Sequence, residues 1–207
     1  MNEILAYDVP IKFMKVIKNK SIDKFEFVGG IIYVWNAIQL VRIKNWRNTM
    51  NYNIRKINDN EYKFLDNFLY EAIYVPEGVK HPPKTIINNQ ELQVYVSGFG
   101  EKKDDICFVV EIEGIVGGAV WARVMNDYGH IADGIPSLAI SLYEQYRGYG
   151  IGTALMKRMI VDLEEKGYEK TSLAVQKANY AVKMYKNVGF EIVDQNEEEY
   201  IMVCQLK

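Results

Sequence analysis

The chain is poor in the side chains that usually bind metals or form disulfides. Its 207 residues include two cysteines and two histidines. With only His81 and His130 available, the composition argues against a multi-histidine metal site. Cys107 and Cys204 each sit inside an apolar run, which predicts reduced core residues rather than a disulfide or a metal pair. We therefore expect no metal.

An excess of positive charge and a long apolar run are also missing. The net charge is −2, so a basic footprint for nucleic acid is not expected. The longest apolar run, residues 28–41, is interrupted by Asn36 and Gln39 and is too short to span a membrane. The N-terminus carries Glu3 and Asp8 and lacks a signal-peptide pattern. These absences predict a soluble, cytoplasmic protein with neither nucleic acid nor membrane as a partner.

The length fits one large domain, or one domain with an appendage. Residues 1–50 show weak alternation, as in 11–17, and predict a small β-rich or mixed appendage without a catalytic part. From residue 51 the pattern becomes regular, which predicts a second unit over residues 51–207.

The regular part alternates between strand and helix patterns. Asn58 and Glu61 form a plausible N-terminal cap pair, and Glu113-Gly114 is a hairpin signal. Helices are predicted over 64–73, 90–96 and 151–166 and after Asn179. Strands are predicted over 52–57, 106–113, 115–124, 137–142, 170–175, 191–194 and 200–206. Such a series predicts a mixed α/β sheet.

A glycine-rich loop follows the strand that ends at Leu142. Gly148, Gly150 and Gly152 fall within five residues, just where an amphipathic helix begins. A helix start leaves several backbone N–H groups without partners and attracts anions. Glycines allow an anion to approach those groups closely. The arrangement is suited to holding a pyrophosphate.

Three kinds of loop share this design. A P-loop requires a lysine after its last glycine, and here Thr153 follows. The dinucleotide fingerprint G-x-G-x-x-G also fails, because the spacing here is G-x-G-x-G. The third pattern, Gln/Arg-x-x-Gly-x-Gly/Ala, is met by Gln145, Gly148 and Gly150. With Arg147 before the first glycine, the loop resembles the acetyl-CoA loop of the GNAT N-acetyltransferase superfamily. The alternative is a glycine-rich turn that merely starts a helix.

A second stretch carries the same resemblance. An apolar strand at 173–175 is followed by Asn179, a short helix with Tyr185, and then Gly189-Phe190. This is similar to the other hallmark of the GNAT superfamily, and the likeness covers about residues 52–207. It implies a mixed, mostly antiparallel, twisted α/β (α+β) sheet. Two central parallel strands in that sheet splay apart, and helices flank it.

The resemblance also implies acetyl-CoA as a co-substrate and assigns site residues. Tyr185 would be the general acid toward the thiolate, and Asn179 would contact the CoA arm. The backbone of Ser141, Leu142 and Tyr143 would pair with the pantetheine amides, and the N–H of Leu142 or Tyr143 would stabilise the oxyanion. In the glycine loop, Arg147 would add positive charge, and the N–H groups of Arg147, Gly148, Gly150 and Gly152 would hold the pyrophosphate. The full set of CoA-binding residues expected in this segment is Gln145, Arg147, Gly148, Tyr149, Gly150, Ile151, Gly152 and Thr153.

The general base and the acceptor site are less clearly marked. Members of the superfamily often carry a glutamate where this chain has Ser137, which could only position a water. Other candidates for the base are Asp133, His130, Glu111 and Glu113. Acidic and aromatic side chains that suit a cationic amine are Tyr70, Glu71, Tyr74, Glu77, Asp127, Tyr128 and Asp133.

The resulting hypothesis is an N-acetyltransferase that acts on a primary amine of a small molecule or peptide. The amine would attack acetyl-CoA directly in a ternary complex. The alternative is an acyl-CoA-binding sensor without turnover. The acceptor and the oligomeric state stay open, and a homodimer is compatible with the sequence.

Overall fold

The computed structural model describes residues 50–207. The appendage predicted over residues 1–50, including the strand at 11–17, lies outside the described residues apart from Met50 and stays a prediction. Within the described part, no helix has the length and apolar character needed to cross a membrane. The same part contains no group of three or more His, Cys, Asp or Glu side chains that could hold a metal ion.

In the described part of the chain, seven strands form one mixed sheet in the order β1-β2-β3-β4-β5-β7-β6. Every neighbouring pair is antiparallel except β4 and β5. The predicted mixed, mostly antiparallel sheet is therefore confirmed. The strands are β1 (Tyr52–Lys56), β2 (Ile106–Ile112), β3 (Ile115–Arg123), β4 (Ser137–Leu142), β5 (Lys170–Gln176), β6 (Phe190–Gln195) and β7 (Glu199–Gln205).

The two parallel strands separate almost as soon as they meet. Their single paired position joins Ser137 of β4 to Ser172 of β5, and the Ser172 N–H donates to the Pro136 carbonyl at 3.1 Å. Beyond this point each strand keeps only its antiparallel partner, β3 or β7. A cleft thus opens in the middle of the sheet toward Leu142 and Gln176, the carboxyl ends of both strands.

Helices cover both faces of the sheet. On α3, Ile151, Leu155, Met159 and Leu163 are fully buried, as their four-residue spacing predicts. They pack on one face of the sheet, while the buried side of α1 packs on the other. Cys204 and Cys107 lie in these two cores, one on each face. The helices are α1 (Leu65–Ala72), α2 (Gln90–Gln93), α3 (Ile151–Glu165) and α4 (Ala181–Asn187).

Two predicted elements differ in detail. The cap pair Asn58 and Glu61 begins a 3₁₀ turn over Asp59–Phe64 and not the α-helix itself. The α-helix α1 starts at Leu65, the residue after this turn. The helix predicted at 90–96 is α-helical for four residues and continues as turns. The hairpin between β2 and β3 is confirmed, with positive φ at Glu113 and Gly114.

A charged network fixes the start of α1 to the sheet. Arg55 on β1 donates two bonds of 2.7 Å to Glu61 and one of 3.0 Å to Glu111 on β2. The bonds from Arg55 lower the pKa of Glu61 to about 2. Glu61 also accepts the Asn58 N–H at 2.9 Å. Because α1 forms one wall of the cleft, this network helps to position the site.

The variant Glu61→Gln should lose stability at neutral pH but not in acid. The folded pKa of Glu61 lies below its ordinary value of 4.5. Its stabilisation is therefore complete above about pH 4.5 and is lost as pH falls through about 2. Urea unfolding at pH 7 should give a deficit of about 1–3 kcal/mol that closes in acid. Glu165→Gln, which changes an exposed carboxylate, is the control. A deficit that persists unchanged at low pH would contradict this account.

Candidate active site

The cleft between β4 and β5 has a volume of about 1410 Å³ and is the candidate site. Its walls come from the carboxyl ends of α1, β4 and β5, the glycine loop, α4 and the β6–β7 turn. These segments are far apart in sequence, and the separation of the two parallel strands brings them together.

The glycine loop presents unpaired backbone donors at one end of the cleft. Within residues 50–207, no N–H group from Gly148 to Thr153 donates a hydrogen bond, and the first to do so is that of Ala154, to Gly150 at 3.1 Å. Gly148 and Gly150 have φ of 84° and 81°, a region that favours glycine. A run of free N–H groups at the start of a long helix is a strong anion site.

Arg147 occupies a different place from the one predicted. Its N–H donates to Glu144 at 3.1 Å, so it is not one of the free donors, which corrects the expectation for that group. Its guanidinium donates to the Leu142 carbonyl at 2.8 Å and to the Glu71 carboxylate at 2.9 Å. Arg147 therefore ties α1 to the end of β4, with part of its charge neutralised by Glu71.

Alternation along β4 decides which backbone groups face the cleft. The Tyr143 N–H donates to Gly117 on the β3 side at 3.0 Å. Because bonds alternate in an antiparallel pair, Ser141 also bonds β3, while Ile140 and Leu142 point the other way. The expectation that Ser141 and Tyr143 offer backbone groups to a ligand is therefore wrong. Ile140 takes that place and was not identified from the sequence.

The same rule applies to β5. Lys177 donates its N–H to Glu198 at 2.8 Å, so odd-numbered residues of β5 bond β7. The backbones of Ala174 and Gln176 therefore face the cleft opposite Ile140 and Leu142. The Leu142 carbonyl is occupied by Arg147, which leaves its N–H as the donor nearest the loop.

Tyr185 lies on α4 and lines the cleft. Its ring is buried against Phe190, with 6.0 Å between ring centroids. Its hydroxyl has no hydrogen-bond partner among residues 50–207. Burial, with a smaller contribution from Tyr180, raises the pKa of Tyr185 well above its usual value. The phenol is therefore protonated at neutral pH and can donate to a ligand.

Some of the other predicted CoA-binding residues line the cleft, and others pack against the hydrophobic core. Gln145, Thr153 and Asn179 line the cleft. Asn179 also uses its side-chain oxygen to accept the Ala181 N–H at 2.9 Å, which caps α4. The side chains of Tyr149 and Ile151 pack against the core on the α3 face, so these two residues offer only their N–H groups.

Ser137 does not line the cleft. Its side chain is fully buried and donates to Asp127 Oδ2 at 2.7 Å. The role of positioning a water in the cleft therefore does not fit this serine. The structural reason is that odd-numbered side chains of β4 point to the α1 face, where the loop after β3 covers this one.

The other base candidates also lie outside the cleft lining. Glu111 binds Arg55 at 3.0 Å, and Glu113 is in the β2–β3 turn. The Nδ1 atom of His130 lies 3.1 Å from the Met125 carbonyl, and Asp133 is fully exposed. These placements do not support direct proton removal by any of the four.

The acceptor end keeps some predicted residues and adds others. Tyr70, Glu71 and Tyr74 line the cleft, whereas Glu77, Asp127 and Asp133 do not. Tyr74 donates to the Ala178 carbonyl at 3.1 Å and so links α1 to the segment before α4. Tyr128, also expected on the acceptor side, lines the cleft as well, together with Tyr95 and Glu199, which the sequence did not single out.

Comparisons with known proteins agree with this architecture. A family model described as an acetyltransferase (GNAT) domain matches residues 70–203. An N-alpha-acetyltransferase from Sulfurisphaera tokodaii is 30% identical over 115 residues, which are 48% of this chain and 68% of that protein. A ribosomal-protein alanine N-acetyltransferase from Haemophilus influenzae is 29% identical over 92 residues, 44% of this chain and 58% of that protein.

A solved structure is similar in fold. The PaiA N-acetyltransferase of Thermoplasma acidophilum, in complex with coenzyme A, superposes with a TM-score of 0.57 at 18% identity. The match covers 75% of this chain and 99% of the PaiA chain. The two chains thus share a fold. Since the family model spans well over half of the sequence, the chain belongs to the GNAT acetyltransferase family and is an acyltransferase.

The variant Gly150→Val should weaken acetyl-CoA binding. A side chain there would meet no protein atom within 4 Å, so it would project into open space at the loop. We expect a dissociation constant at least about tenfold higher by calorimetry, because the N–H groups could not be approached closely. Gly167→Val is the matched control, since Gly167 has the same φ of 81° and equally open surroundings at the far end of α3. Equal affinity in the two variants would rule out this role for the loop.

Proposed function

We propose that this enzyme transfers the acetyl group of acetyl-CoA to a primary amine in a ternary complex. The observation that carries the proposal is the run of free N–H groups from Gly148 to Thr153 at a cleft that also contains the Tyr185 phenol. The coenzyme A bound to the similar PaiA enzyme supports the same ligand class.

The backbone would hold acetyl-CoA along its length. The free N–H groups of the loop bind the pyrophosphate. The pantetheine amides pair with the Leu142 N–H and the Ile140 carbonyl, as an added strand would. The parting of β4 from β5 leaves room for that extra strand. The thioester then lies farther from the loop than Leu142, between the Ile140 N–H and α4.

Two donors would act on the reacting thioester. Negative charge develops on its carbonyl oxygen when the amine attacks, and an aimed N–H from Ile140, in place of the predicted Leu142, stabilises that charge. The sulfur leaves as a thiolate unless it receives a proton. Tyr185 supplies that proton because its phenol stays protonated at neutral pH.

The acceptor would be cationic before it reacts. Tyr95 and Tyr128 line the cleft, and the charge of Glu199 on β7 acts on both phenols. Tyr128 also donates a hydrogen bond to Glu91. Carboxylates and aromatic faces favour an ammonium group. The names of the two sequence relatives support a peptide N-terminus as one acceptor, and the aromatic, acidic lining supports a polyamine as another.

An acceptor panel tests this function. CoA release should be seen with spermidine or with an alanine-initiated peptide rich in lysine. A matched peptide rich in glutamate should react at least about tenfold less efficiently in kcat/KM, because like charges repel at the cleft. The variant Glu199→Gln should reduce the ratio of kcat/KM between the lysine-rich and the glutamate-rich peptide. Tight acetyl-CoA binding with no CoA release on any acceptor would instead support the sensor hypothesis.

The variant Tyr185→Phe should lower kcat at least about tenfold with little change in acetyl-CoA affinity. The ring keeps its packing against Phe190, and only the proton donor is lost. Steady-state kinetics and calorimetry on the same preparation separate the two effects. Tyr168→Phe, which removes a phenol bonded to Asp104 outside the cleft lining, is the control. An unchanged kcat would exclude Tyr185 as the acid.

A further inference from the structure

The proposed reaction needs a group that removes a proton from the acceptor ammonium, and a phenol–carboxylate pair stands at the cleft wall. Tyr95 lines the cleft and donates its hydroxyl to Asp127 Oδ2 at 2.7 Å. Asp127 itself is outside the lining. The Ser137 hydroxyl donates to the same oxygen at 2.7 Å. The carboxylate is therefore screened from the cleft and reached through Tyr95.

Asp127 is held at the point where the sheet opens. Its partner Ser137 is the β4 residue that pairs with β5. The loop packs tightly here, because a side chain on Gly129 would come within 2.6 Å of the Ser137 hydroxyl oxygen and 3.0 Å of the Ala174 nitrogen. The other carboxylate oxygen, Oδ1, is buried and accepts no hydrogen bond from residues 50–207. Such a carboxylate has unused capacity for a proton.

We propose that Tyr95 and Asp127 form a proton relay that deprotonates the acceptor; this inference rests on the proposed function. The ammonium gives a proton to the Tyr95 oxygen while the Tyr95 proton passes to Asp127 Oδ2. The nitrogen lone pair set free then attacks the thioester carbonyl. Asp127 returns its proton to water after product release. After the attack, the nitrogen loses a second proton. This proton goes to the Tyr185 oxygen and replaces the one that Tyr185 gives to sulfur.

The surrounding charges are compatible with this relay. Glu199 of β7 and the Tyr128–Glu91 pair face Tyr95 from the other elements at this end of the cleft. Arg123 on β3, which pairs in register with Ser137, directs its guanidinium to Asp105 at 2.8 Å. His130 is bound to the Met125 carbonyl and lies near Asp133. Burial, and to a smaller extent the charge of Asp127, raises the pKa of Tyr95. The phenol therefore stays protonated at neutral pH and can donate its hydrogen bond to Asp127.

The test is the pH dependence of kcat/KM for Asp127→Asn and Tyr95→Phe. The acceptor is spermidine or the lysine-rich peptide, whichever has the higher kcat/KM. Asparagine can still accept the Tyr95 hydrogen bond but cannot take its proton. Near pH 6.5 both variants should lose at least about tenfold in kcat/KM, since a polyamine with a pKa near 10 and a peptide α-amine with a pKa near 8 are both almost entirely charged there. Near pH 9.5 the loss should shrink below about threefold, because free amine then forms without help.

A matched control and two contrary outcomes complete the test. Tyr62→Phe removes a phenol that also donates to a carboxylate, Asp59 at 2.9 Å, outside the cleft lining, and should leave the pH profile unchanged. A loss of similar size at every pH would show a structural role for Tyr95 and Asp127 and overturn the relay. No loss in Asp127→Asn would also overturn it. A wild-type enzyme that releases no CoA with any acceptor would refute the proposed function instead.

Discussion

The site depends on one interruption of hydrogen bonding in the middle of the sheet. β4 and β5 share a single paired position, at Ser137 and Ser172, and then part. Parallel strands normally continue to bond each other, and an unpaired strand edge buried in a protein is unfavourable. Here the free edge of β4 opens onto a cleft and not onto packed side chains. The protein thereby keeps a row of backbone donors and acceptors in place for a ligand that extends like a strand.

Close contacts on both sides of the opening stabilise it. On the α1 face, Ser137 is bound to Asp127, and Ser141 donates to the Phe68 carbonyl at 2.7 Å. Arg147 joins the end of β4 to Glu71 at the end of α1. The two serine hydroxyls anchor β4 on the α1 face, and the Arg147 guanidinium occupies one backbone group of the free edge, the Leu142 carbonyl. These contacts fix β4 beside the gap without closing it, so the residues that hold the fold also shape the site.

The sequence predicted those parts of the site that are local in the chain. The glycine loop and Tyr185 each lie in one short segment, and the helical face of Ile151, Leu155 and Met159 follows from spacing alone. The direction of each backbone group in β4 did not follow, because it depends on which strand lies beside it. The expectations for Ser141 and Tyr143 failed for that reason, and Ile140 was missed.

Contacts between segments that are distant in the chain could not be predicted from the sequence, for the same reason. The sequence predicted that Ser137 would position a water, yet its burial against Asp127 depends on how the loop after β3 folds back. Tyr95 and Asp127 are 32 positions apart, Tyr95 just after α2 and Asp127 in the loop after β3. No periodicity or motif connects them, so only the tertiary structure shows the pair.

Opposite electrostatic character at the two ends of the cleft follows from this arrangement. The loop end offers N–H groups and the positive end of the α3 dipole, which favour an anion. The other end offers Glu91, Glu199 and tyrosine faces, which favour a cation. A negatively charged donor and a positively charged acceptor would thus enter in one relative orientation. Their reactive groups would meet between these two ends, beside Ile140 and Tyr185. The interruption in the sheet would therefore determine both where the substrates bind and how they face each other.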